Sequence, residues 1–422
     1  MKKLLLSSLL ASTVILTGCF KDDDTPIIIE ETTIIQNGGE TGSGTTVVNV
    51  TGAITENTTW TNDNIYKLNQ KVVVDAGTTL TIEAGTIIQG TPGTGSLASA
   101  LIIARGSKIN AVGTPSQPII FTSSTDNIEI GETAGTNLDE NDRGLWGGLI
   151  ILGNAPCSFS GDIVEAQIEG IPADDTFGLY GGTDPEDNSG VVSYISIRHG
   201  GALIGEGNEI NGLTLGGVGN GTIINNIEVV ANVDDGIEFF GGTVNASNLL
   251  VWAQGDDALD IDQAYSGTID NALVILGDFS DHAFEIDGPE GSATGSFTLQ
   301  NATIIGNTTT ENGEYADYRS GATGTTNNIY AYGFKASSDV ELDNDGVATN
   351  YNDGQLIFGI WELVLPEGVT DVTSLFVNKA DNVSVTDFGI TASAITEGEN
   401  TVGANTSSLS WTYSNDAGSL NF

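Results

Sequence analysis

The segment VDDGIEFFGG at residues 233–242 returns 22 residues later as GDDALDIDQAY at 255–265. Asp235 aligns with Asp257, Ile237 with Leu259, Glu238 with Asp260 and Phe239 with Ile261. A looser third copy, SDHAFEIDG, begins at Ser280 and brings Phe284, Glu285 and Ile286 into register. Each copy alternates apolar and acidic side chains, the period of a strand with one buried face. A repeat this short that holds only strands and turns cannot bury its apolar face alone. Its copies must stack as successive coils of a solenoid.

The repeat extends in both directions. TTLTIEAGTIIQG at 78–90 aligns with SALIIARGSKINA at 99–111, and NNIEVVAN, SNLLVWAQ and DNALVILG start at 225, 247 and 270. Strands of successive coils then pair in parallel about 4.8 Å apart. Alternation puts Ile237, Phe239, Leu259, Ile261, Phe284 and Ile286 inside, with Glu238, Asp260 and Glu285 outward on consecutive rungs. Asp262 and Asp287 make a second outward pair. Asn226, Asn248, Asn271 and Asn301 recur in one slot, which fits either a left-handed backbone position or a stacked amide ladder. The fold expected is all-β, a right-handed parallel β-helix.

The chain opens with MKKLLLSSLLASTVILTGCF: a basic pair, an apolar run, then small residues before Cys19. This is an export signal and takes no part in the fold. LTGC resembles the bacterial lipoprotein box, which implies lipid on Cys19 and an anchor in the outer membrane. Asp22–Asp24 resemble the tags that carry some lipoproteins to the cell surface. Residues 1–18 are then signal peptide and 19–46 a flexible tether ending in Gly, Ser and Thr. The β-helix is expected over 47–328. Irregular rungs and a β-rich cap are expected over 329–422, where DGQLIFGIWELVLPEG and SSLSWTYSNDAGSLNF read as short strands. Two acidic insertions, 123–143 and 154–190, break the period and are expected to leave the coil on one face.

The chain carries 12 Lys and Arg against 56 Asp and Glu. That balance excludes nucleic acid as a partner, because phosphate binding needs basic patches. It repels polyanions unless divalent cations intervene.

Taken together, LTIEAGTIIQG, ALIIARGSKI, GLWGGLIILGNAP, YISIRHGGA, NGLTLGGVGNGT, DDGIEFFGGTV and DDALDIDQAYSG resemble a family of exported bacterial proteins with pectin-lyase-like parallel β-helices. The resemblance implies fold and address. Activity does not follow from it, because the fold hosts lyases, hydrolases, adhesins and passive stalks.

Three functional readings are open. In the first, stacked acids hold Ca²⁺, which takes six to eight oxygen ligands. Glu238, Asp260, Glu285, Asp262 and Asp287 would supply some, and Asp234, Asp235, Asp256, Asp257 and Asp281 could complete the shell. The alternative for these acids is plain solvation. In the second, the chain is a polysaccharide lyase or glycosidase. Resemblance to polygalacturonase-like β-helices implies roles for Asp256, Asp257, Asp260 and His282, with Arg198 as the available cation. The expected Gly-His-Gly and the later Arg-x-Lys are both missing, which removes the cationic subsite. The third reading is adhesion to polysaccharide or another surface protein through Trp252, Phe240, Tyr180, Tyr265 or Trp361. Cys157 has no basic neighbour and reads as a packed thiol.

Overall fold

Asn226, Asn248, Asn271, Asn301 and Asn328 all hold left-handed backbone, with φ of 54, 56, 63, 57 and 57°. Each bends one strand across a corner, as in Asn245–Trp252 and Thr268–Ile275, so that its two halves lie on different faces of a coil. The side-chain amides also stack. Asn248 donates to Asn226 at 3.2 Å, Asn271 to Asn248 at 2.7 Å and Asn328 to Asn301 at 2.9 Å. The recurrent asparagine therefore meets both expectations, since its side chain tolerates the left-handed region and bridges rungs. Between Asn271 and Asn301 the ladder breaks, because Asn301 donates to Asp270 instead.

The computed structural model describes residues 46–171, 175–204, 209–310, 312–418 and 420. The export signal, Cys19 and nearly all of the expected tether lie outside these residues. Twenty-five strands form one continuous sheet wound into coils, and its strand pairings are parallel. Each coil contributes to three faces. The second coil of the opening repeat shows the order: Asn245–Ser247 on the first face, Leu249–Trp252 on the second and Leu259–Asp262 on the third. The interior is the expected one, with Ile237, Phe239, Leu259, Ile261, Phe284 and Ile286 at most 1% exposed. Each such side chain contributes about 1.5–3 kcal/mol relative to exposure.

Regular pairing continues past residue 328. Trp361–Leu363 stacks on Ile329–Ala331, Phe376–Asn378 on Val340–Leu342, and Ala392–Ala394 on Trp361–Leu363. The closing segment, expected as strands over the open end, instead forms a 3-10 turn at Thr406–Leu409 and a helix at Tyr413–Ala417. It runs back along the second face as a strap. Ala404 N donates to Thr303, Asn405 N to Asn271, and Ser414 N to the buried carboxylate of Glu228 at 2.7 Å. Leu409 is fully buried against Leu250, Leu273 and Ile275, which point outward from that face. Outward apolar residues there need a cover, and the strap supplies it.

The insertion 154–190 covers the third face in the same way. Phe159, Ile168, Ile171 and Tyr180 pack on the outward Ile102, Ile150, Leu152 and Phe240. Tyr180 also donates to Gln263 at 2.8 Å.

Candidate metal centre on the acidic face

The third face carries an unbroken file of acids. Glu238 pairs in register with Asp260, Asp260 with Glu285, Glu285 with Asp317, and Asp317 with Glu341. Thr214 precedes the file and Val377 follows it. The strand alternation that buries Phe239 and Ile261 forces these side chains outward. They are nevertheless not solvated: Glu238 is 5% exposed and Asp260 9%. Charges at this spacing repel by about 1 kcal/mol per pair in water and about 4 kcal/mol at an effective dielectric of 20. Burial and the neighbouring acids push Asp235, Glu238 and Asp260 well above the usual carboxylate range. Burial, then Glu169 and Asp256, holds Asp234 at about 7, and burial puts Asp262 at about 7 and Asp256 at about 6.

Further along, the file supplies its own cations. His282 lies 2.8 Å from Asp257, 3.7 Å from Glu285 and 4.0 Å from Asp281. Burial opposes charge on its ring, but the hydrogen bond and charge of Asp257 prevail and raise it to about 9. Arg319 contacts Glu285, lies 2.7 Å from Asp287 and reaches Asp317 at 4.0 Å. Lys379 contacts Glu341 and lies 3.9 Å from Asp339. Among the described residues no Lys, Arg or His comes within 4.0 Å of a carboxylate oxygen of Asp234, Asp235, Glu238, Asp256, Asp260 or Asp262.

Asp235, Glu238 and Asp260 each offer an oxygen within 4.8 Å of the others, and Asp234, Asp235 and Asp256 do the same, sharing Asp235. Two buried oxygens here lack a hydrogen-bond partner: Oδ1 of Asp260, and Oδ1 of Asn211, whose Nδ2 donates to Glu238. Asn211 is 1% exposed. Such an oxygen costs about 1–3 kcal/mol unless something ligates it. An all-oxygen set of carboxylates and an amide suits a hard cation such as Ca²⁺.

The ten acids read from the sequence as ligands thus divide. Asp234, Asp235, Glu238, Asp256 and Asp260 converge, with Asp262 beside them. Asp257, Asp281, Glu285 and Asp287 are instead within reach of His282 or Arg319. Sequence reasoning missed Asn211, Asp317 and Glu341. The last two carry the same apolar–acid–apolar signature, in YADY and DVEL, but a longer loop precedes Asp317 and breaks the period before it reaches either.

The catalytic set is only partly assembled. Asp257 and His282 are paired, but Arg198 lies on the second face, 2% exposed. Its guanidinium donates to Ser196 and Thr133, sits 3.9 Å from Glu228 and covers the Tyr413 ring at 4.3 Å. A strand on the second face cannot bring it to the third.

The aromatic candidates are packing residues. Tyr265 and Trp361 fill the interior, Tyr180 of the insertion packs on Phe240 beneath it, and Trp252 lies against Tyr413 of the strap. Burial pushes the Cys157 thiol up to about 12, as suits an inert packed group.

The family model of a pectate-lyase like beta helix domain matches residues 52–414. The chain belongs to that family. The match includes the whole acidic face and most of the strap, so both are part of the right-handed parallel β-helix domain. No curated protein and no solved structure matches the chain. Membership of the pectate-lyase-like family leaves the activity to be argued from the site.

Proposed function

We propose that this protein is a lipid-anchored, outer-membrane surface protein whose β-helix is a structural or ligand-binding element with a calcium ion on its acidic face. The anchor reading rests on LTGC and Cys19. The calcium reading is carried by one observation: side-chain cations neutralise the acid file at His282, Arg319 and Lys379 but not at Asp235, Glu238 and Asp260. Asp235, Glu238, Asp260 and Asn211 would hold the ion. Extracellular polysaccharide or another surface protein is the partner class this address implies.

Asp260→Asn tests the ion. An ion that binds only the folded state stabilises it by about 2.7 kcal/mol at a hundredfold excess over Kd. Calcium should therefore raise the melting temperature of the wild type more than that of the variant. In chelator the variant should melt no lower than the wild type, because it relieves repulsion. Identical calcium responses in the two proteins reject the site.

A second reading, polysaccharide lyase or glycosidase, is favoured by the Asp257–His282 pair beside a cleft lined by Glu314, Lys335 and Lys379. Turnover on a panel of acidic and neutral polysaccharides decides it.

A further inference from the structure

We infer that the ion on the acidic face is also a clasp: bound at Asn211 and Glu238, it holds the 154–190 insertion against the coils. The inference rests on reading Asp235, Glu238, Asp260 and Asn211 as a cation site, and it gives that site a conformational consequence.

The amide ligand and the insertion's anchor are consecutive residues. Asn211 is buried and donates through Nδ2 to Glu238, while its Oδ1 has no hydrogen-bond partner. Ile210, immediately before it, is also buried and belongs to the apolar cluster that Ile168 and Ile171 of the insertion join over the third face. Gly170, with φ of 68°, runs so close that a Cβ there would stand 3.6 Å from Glu209 O and from Ile210 Cγ1. On the other side Asn232 ties Ile210 to the site: its Nδ2 donates to Ile210 O at 3.0 Å and to Asp235 O at 2.8 Å. Ile210 and Asn211 are thus wedged between the insertion and two of the proposed ligands. An ion that fixes the Asn211 amide fixes Ile210, and with it the seat of Ile168 and Ile171.

Charge sets the sign of the coupling. Glu169 stands between Ile168 and Gly170, and among the described residues no Lys, Arg or His comes within 4.0 Å of its carboxylate. Its charge reaches the coils: Asp234 is raised by burial and next by Glu169, and Glu238 by burial, by Asp260 and Asp235, and then by Glu169. Without an ion, the acids of the coils therefore repel this edge of the insertion. A divalent cation among them turns that repulsion into attraction. The other ties of the insertion do not involve the site: Arg105 donates to Gly181 O at 2.7 Å and to Glu165 at 2.6 Å, and Tyr180 donates to Gln263. The clasp accordingly acts at the edge 168–171.

Amide hydrogen exchange on the full chain, wild type and Glu169→Gln, in calcium and in chelator, tests this. The reporters are the amide of Ile168, which bonds to Gly178 O inside the insertion, and that of Ile237, which bonds to Ala258 O in the coil stack. In wild type, calcium should slow exchange at Ile168 about 5–150-fold, the ordinary span of coupling between two sites. In chelator, Glu169→Gln should exchange more slowly than wild type at Ile168, and calcium should slow it there by a smaller factor. If calcium slows Ile237 but leaves Ile168 unchanged, the clasp is overturned and the ion site stands. An equal factor at Ile168 in both proteins also overturns the clasp, because the insertion then only follows the unfolding of the coils. If calcium slows neither amide in wild type, the ion reading fails and the clasp with it.

Discussion

Glu238 and Asp260 occupy the same register position on adjacent coils, each more than nine-tenths buried, and among the described residues no Lys, Arg or His comes within 4.0 Å of either carboxylate. Two buried like charges cannot both ionise cheaply, so either protons or a cation must be present.

That choice predicts a reversal of pH dependence. Asp234 and Asp262 sit at about 7 and Asp256 at about 6, against about 3.9 for an unfolded aspartate. Between those values the folded state holds more protons than the unfolded one, so stability falls as pH rises. The penalty is absent below the unfolded value and complete above about 7. His282, raised to about 9, adds the same sign: its contribution is full below the unfolded histidine value and lost as pH passes about 9. In chelator the melting temperature should therefore drop steadily from about pH 5 to about pH 8. Calcium needs ionised ligands, so its added stabilisation should grow over the same interval. Melting curves at several pH values, with calcium and with chelator, check both slopes. A flat chelator profile would remove the argument from buried acids.

The coil architecture was legible because its signals are local and repeated. Ile237, Leu259 and Phe284 alternate with acids at near-constant spacing, and one asparagine per coil marks the bend. The candidate ion site was half legible. Alternation gave Glu238, Asp260 and Glu285, but could not reveal that they are buried or that Arg319 and Lys379 fold back to neutralise part of the file. Asn211 was invisible, because nothing in its own segment ties it to Glu238. The face that carries Arg198 was not legible, because the bend before it falls at Tyr194, with φ of 53°, where the later coils have asparagine. The strap failed for the same kind of reason. Its partners Glu228, Asn248 and Asn271 lie more than a hundred residues away, beyond any periodic signal.

The anchor gives an independent prediction. On the proposed acylation of Cys19 in LTGC, Cys19→Ser should abolish lipid labelling and release the protein from the membrane fraction. Metabolic labelling with a fatty-acid probe, followed by fractionation, reads both effects. A wild type without label, retained in membranes as firmly as the variant, would remove lipid from the account.

The strap makes the last prediction. Among the described residues of the strap, Leu409 is the fully buried apolar contact with Leu250 and Leu273, while the polar ties run to Asn271 and Glu228. Cutting Leu409 back to Ala should cost about 2–5 kcal/mol if the site were rigid. A terminal segment can instead open without unfolding the coils, so the loss should register locally. A loss of about 2 kcal/mol raises the open population about 30-fold. Hydrogen exchange should therefore accelerate by about that factor at the amides of Asn405 and Ser414, which bond to Asn271 and Glu228. The amide of Ile237, which bonds to Ala258 within the coil stack, should stay protected. Equal acceleration at all three amides would mean that the strap and the coils unfold as one unit, and that the closing segment holds the coils together rather than lying against a helix already stable without it.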